Sequence, residues 1–225
     1  MNTSAPFVGL EKQDFETFQN TIKPVLDNFL ADNPPPHGQI VEKDKAIRDM
    51  FDMIQGGYEI PWTNSNANAN AAKSVGISAC TAKEITVAID CFSVFFEFLG
   101  VTPDVCTKAA TALIGELTKA QLDSLSKSFQ AISDADGAVD TATAVFNLIS
   151  GIYDLTGIGK ILDALEDNMS WYHWFIVGVV VTAQAVALFA SDGASFIAEL
   201  IVMTAFLTQL GIDAVSMADA CGWIS

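Results

Sequence analysis

Two carboxylates set among apolar residues, Asp192 and Glu199, are the groups in this chain whose type and position could do chemistry, and that chemistry is proton uptake. A carboxylate carried toward the centre of a bilayer costs about 2.5 to 3.5 kcal/mol on insertion scales, and protonation removes most of it. Acidification is then the natural trigger for moving either residue toward hydrocarbon, so both are expected to gate insertion. Other constellations fail on spacing. Thr156-Gly157-Ile158-Gly159-Lys160 brushes the phosphate-loop pattern, but Asp154 stands at its first glycine and Ile161 replaces the magnesium-binding hydroxyl. Asp134, Asp136, Gly137 and Asp140 lack the ligand spacing and closing glutamate of a calcium loop, and helix capping accounts for them. With two histidines in the chain, His37 and His173, imidazole chemistry is starved. No catalytic, cofactor-binding or metal-binding residues are expected, and the chain is not read as an enzyme.

The elements that must position the two carboxylates are long and apolar. Trp171 to Ala190 is twenty residues without a formal charge, enough to cross a bilayer's hydrocarbon as a helix. A break at Ser191-Asp192-Gly193 follows, and Ala194 to Ile212 adds nineteen mostly apolar residues whose single charge is Glu199. The spacing predicts a helical hairpin. Its membrane-inserting residues are expected to be Trp171, Trp174, Phe175, Ile176, Val177, Val180, Val181, Leu188 and Phe189 on the first arm. Phe196, Ile197, Leu200, Ile201, Phe206 and Leu207 are expected on the second. In water so large an apolar surface must be covered, since exposed patches of that size aggregate. Val177, Val180, Val181, Leu188, Ile201 and Phe206 should therefore be among the least accessible residues.

Charge and composition set the surroundings. The 225 residues hold 11 basic and 27 acidic side chains, a formal charge of -16, with 51% hydrophobic residues. So few cations exclude nucleic acid as a partner, because phosphate contacts need lysine and arginine. The acidity keeps an apolar-rich chain dispersed in water. Met1 to Leu10 has neither a basic start nor an apolar run, so secretion or release by a route without a signal peptide is expected.

Helical periodicity dominates the rest, and the fold class is all-α. A compact bundle of about eight or nine helices around the buried C-terminal hairpin is expected, as one domain over 1–225. Residues 1–57 hold amphipathic helices, with Pro24 marking a kink or break; 58–80, with its Asn-rich run, is a loop; 81–169 form the bundle; 170–225 are the hairpin and tail. Thr81 with Glu84 reads as a capping box for a helix closed by Gly100, and Thr118 with Gln121 as another. Four cysteines, Cys80, Cys91, Cys106 and Cys221, fit one or two bridges or buried free thiols equally well. If a bridge forms, Cys91 and Cys106, on successive helices either side of a short turn, are its expected ends.

A soluble bundle of this many amphipathic helices around a charge-free helical hairpin resembles the pore-forming domains of colicins, and more loosely other α-helical pore-forming toxins and the Bcl-2 proteins. The order and character of the helices carry the resemblance. It implies a toxin-like soluble protein that inserts its hairpin into a target lipid membrane, with further copies of itself as partners and a receptor that no residue pattern identifies. The alternative is a non-toxic module that uses the same apolar helices as a lipid or protein pocket or as an oligomer interface.

Overall fold

Asp14 accepts the Thr17 backbone N–H at 2.8 Å and opens the first helix, α1 (Phe15–Asp32). The helix runs on through Pro24, where a kink or break was expected. An interior proline removes one backbone hydrogen bond, but Phe18, Ile22, Leu26 and Phe29, all buried on one face, hold the helix to the core across it. The computed structural model describes residues 13–36, 39–55, 78–99, 101, 103–166, 169–190 and 193–223, and its regular structure is helical throughout. The Asn-rich run, His37, Gly100 and Asp192 lie outside the described residues.

The remaining helices are α2 (Lys43–Ile54), α3 (Ala79–Phe98), α4 (Pro103–Gly115), α5 (Lys119–Ser124), α6 (Ser126–Ser133), α7 (Ala138–Glu166), α8 (Trp171–Ala190), α9 (Ala194–Val202) and α10 (Thr204–Cys221). Ten helices among the described residues exceed the expected eight or nine. Thr118 and Gln121 form the expected capping box of α5. The N-cap of α3, in contrast, is Ser78, whose hydroxyl takes the Thr81 N–H at 3.1 Å, so the helix starts ahead of the Thr81–Glu84 pair. Thr81 and Glu84 are instead buried within its first turns. Gly157, at φ 71° and ψ 171°, divides α7 into two helical stretches. Positive φ costs glycine little, and a side chain there would be strained.

Two expectations are corrected. The second arm of the hairpin is not one helix: the chain breaks at Met203, and α9 and α10 meet at 92°. α9 packs on α7, whereas α10 turns away to run along α3, so no two-helix hairpin of membrane length forms. The cysteine pairing also differs. Cys80 is bonded to Cys221, tying the first turn of α3 to the last turn of α10, and Cys91 and Cys106 are buried free thiols. At 1.5 Å of helix rise per residue, Cys91 lies roughly 15 Å below the turn at Val101 and Cys106 only about 7 Å below it, so the two stand at different levels of the antiparallel pair. The Cys106 thiol donates to the Val101 carbonyl at 3.1 Å, and burial pushes both thiols up, away from reactivity.

One cluster of buried side chains runs from Phe18 in α1 to Met217 in α10. α8 joins it through α1, α2 and α7.

Candidate membrane-inserting helix and its sheath

α8 is apolar on every face, and such a helix is stable in water only inside other helices. Trp174, Phe175, Ile176, Val177, Val179, Val180, Val181 and Leu188 are all buried. α1, α2 and α7 form the sheath. Its first two turns are the most firmly held. The Phe29 ring of α1 sits 5.3 Å from Trp174 and 5.9 Å from Phe175, and approaches the Gly178 backbone so closely that a Cβ there would lie 2.7 Å from the ring. The Trp174 indole N–H donates to the Leu162 carbonyl of α7 at 2.9 Å. The Tyr172 hydroxyl donates to Asp49 of α2 at 2.7 Å, and Lys45 pairs with the same carboxylate, which pulls the lysine further toward its charged form.

The far end of α8 rests in an aromatic cluster. Phe189 stacks on Tyr153 of α7 at 4.1 Å, and Phe196 of α9 meets Phe98 of α3 at 4.7 Å and Phe95 at 6.0 Å. Gly193 enters α9 at φ 70°, with the Phe146 ring 2.3 Å from where a Cβ would stand. That turn is closed by packing that glycine alone permits. Trp171 and Phe189 are half-buried, as are Ile197, Ile201, Phe206 and Leu207, while Phe196 and Leu200 are buried. Of the six residues expected to be least accessible, Val177, Val180, Val181 and Leu188 are buried. Ile201 and Phe206 are not, because they flank the break at Met203. Glu199 is half-buried on α9.

Trp171–Phe189 is the one described helix long and apolar enough to cross a membrane unaided; α9 and α10 reach that length only as a bent pair. The core helix of a soluble protein meets the same criterion. Polarity inside α8 singles it out further. Gln184 is 1% exposed, yet neither its carbonyl oxygen nor its amide nitrogen has a hydrogen-bond partner, and the Thr182 hydroxyl is also unpaired. A buried polar group left unsatisfied costs about 1–3 kcal/mol. Sequence reasoning passed over Gln184; a lone amide in an uncharged stretch was the available signal.

The carboxylates held above their ordinary range lie on α3. Burial, together with Asp213 of α10, pushes Asp90 up to about 6, and burial, with Asp123 nearby, raises Glu84. Such a group favours the fold when neutral. The α3–α10 contact therefore tightens as pH falls toward and below 6 and is weakest where Asp90 is charged. Glu84 also converges with Cys80 and Cys221, but sulfurs bonded to each other offer no thiolate for a metal. Comparison of the chain with protein-family models, curated proteins and solved structures returns no match.

Proposed function

We propose that this is a soluble helical protein that permeabilises membranes by transferring α8 from its own core into the hydrocarbon of a target bilayer, with α9 drawn after it and α10 retained on α3. One observation carries the reading. The uncharged, span-length helix is sheathed by noncovalent contacts alone, whereas the cross-link of the described fold fastens a different helix. Insertion exchanges one apolar surrounding for another. The nine Val, Ile, Leu and Phe residues between Phe175 and Phe189 each favour it by about 0.3 to 0.6 kcal/mol. Glu199 must be neutralised before α9 can follow, and low pH supplies the proton while reducing repulsion between an acidic protein and anionic lipid. The Cys80–Cys221 bridge suits a chain released into an oxidising compartment.

Dye release from phosphatidylcholine–phosphatidylglycerol liposomes over about pH 4 to 8 tests the proposal. Leakage rising as pH falls supports it; no leakage from any lipid mixture at any pH overturns it. Glu199→Gln should permit leakage at higher pH than the parent, Asp192→Asn more weakly, and Glu199→Lys should abolish it, with thermal stability measured alongside to separate gating from unfolding. A second reading draws on the outward face of α9 and α10, where Val202, Ile212 and Val215 are more than half exposed. There the chain would be a binding module that associates through this stripe and permeabilises nothing.

A further inference from the structure

Gln184 shares one face of α8 with Val177, Val180, Val181 and Leu188, at the i, i+3, i+4, i+7 spacing of a helix–helix seam. These five residues are among the most deeply buried of the fold, none above 1% exposed. The amide is the one strongly polar group in that seam, and it has no hydrogen-bond partner in the soluble bundle. Buried amides are ordinarily satisfied, so one that no protein group of the monomer reaches, at the centre of an apolar seam, is available to a partner from outside it. We propose that the partner is the same seam of a second copy: inserted α8 helices associate in parallel through Val177, Val181, Gln184 and Leu188, with the Gln184 amides hydrogen-bonded to one another.

The inference rests on the membrane reading above and extends it to what assembles there. Chains entering from the same side insert with one orientation, which brings every Gln184 to the same depth. That depth is roughly 6 Å from the midpoint of Trp171–Phe189, well inside hydrocarbon roughly 30 Å thick. There an amide facing acyl chains has no partner, whereas a neighbouring amide can both donate and accept, satisfying either a pair or a closed ring. A single polar residue in an otherwise apolar seam also fixes register, because any axial slip leaves it unpaired. The valines around it supply the close-packed surface. Pairing through one amide per helix also explains why the uncharged span tolerates Gln184 at all.

The test uses the full chain, amine-labelled in separate donor and acceptor batches, bound at pH 5 to phosphatidylcholine–phosphatidylglycerol liposomes and recovered by flotation. Tryptophan emission reports insertion, energy transfer at several protein-to-lipid ratios reports association, and Gln184→Leu and Gln184→Asn are compared with the parent. The expected result is that Gln184→Leu inserts at least as well as the parent but loses most of its energy transfer and dye release, while Gln184→Asn retains both. In water Gln184→Leu should melt at a higher temperature, because no hydrogen bond is lost. Undiminished energy transfer by inserted Gln184→Leu, or an inserted parent that stays monomeric, overturns the seam and leaves insertion standing. A parent that floats without a shift in tryptophan emission, or does not float, overturns insertion itself and the seam with it.

Discussion

α8 and α10 are both long, apolar helices of the C-terminal quarter, and they are held in opposite ways. α8 is largely enclosed, with Val186 and Ala187 left exposed: its side chains pack against α1, α2 and α7, and hydrogen bonds from Tyr172 and Trp174 tie its first turns to α2 and α7. α10 is peripheral: it lies antiparallel on α3, bonded through Cys221 to Cys80, with Ile212 and Val215 facing outward and Asp213 near Asp90. Hydropathy alone reads α8 and the stretch from Ala194 to Ile212, which runs into α10, as arms of one hairpin. Their attachments separate them, because noncovalent packing can be exchanged for lipid, whereas a disulfide must first be reduced. Acid sharpens the contrast. Protonating Asp90 strengthens the hold on α10, so a fall in pH does not free it through that carboxylate.

The largest effect that would probe this contrast is Phe175→Ala. The ring is fully buried between Trp171, Tyr172 and Phe29, and truncation should cost about 3–5 kcal/mol in urea unfolding. A cost under about 1 kcal/mol would mean that α8 is not the centre of the core. Reduction of Cys80–Cys221, or Cys80→Ser with Cys221→Ser, should cost roughly 2–4 kcal/mol, since the bond closes a separation of 141 residues. The oxidised chain should nevertheless leak dye; leakage that appears only after reduction would show that α10 must leave as well, breaking the distinction between the helices.

Asp90→Asn should stabilise the fold by roughly 1 kcal/mol at pH 7, a figure reduced for the carboxylate's partial exposure to solvent, and the gain should shrink as pH falls below about 6 and vanish only below the ordinary aspartate value of 3.8. The sign follows from the direction of the shift: the folded state binds the Asp90 proton more tightly than the unfolded chain, so the parent loses stability as pH rises through about 6 while the asparagine variant does not. A stability difference independent of pH would remove the carboxylate as its cause. The smallest effect belongs to Ile212→Ala, 60% exposed on the outer face of α10, which should change stability by less than about 0.5 kcal/mol. If it instead changes the oligomeric state in solution, the outward stripe is an interface.

Much of this fold is local and therefore legible in the residues. Thr118 with Gln121 caps α5, Gly157 divides α7, and twenty uncharged residues from Trp171 make a helix that belongs inside, because each of these depends on neighbours in sequence or on hydropathy. Of the expected hairpin, the first arm forms one helix with Val177, Val180, Val181 and Leu188 buried, and the second arm is redrawn. The break at Met203 has no glycine or proline to announce it. Val202-Met203-Thr204 would continue a helix on propensity alone, and the chain bends there because α9 packs on α7 while α10 packs on α3.

Cysteine pairing escaped for the same reason. Cys91 and Cys106 are close in sequence, but disulfides answer to distance in space, and only the packing of α10 along α3 brings Cys221 to Cys80. That no protein group reaches the Gln184 amide is likewise a property of tertiary structure, since an amide's identity is written in the chain and its neighbours are not. Composition and periodicity determined that the protein is all-α and that α8 must be hidden from water, because both follow from side-chain chemistry summed along a helix. Which helices hide it, which one is covalently held, and which polar group is left without a partner were decided by the tertiary structure, where contacts between residues far apart in sequence compete for the same surfaces.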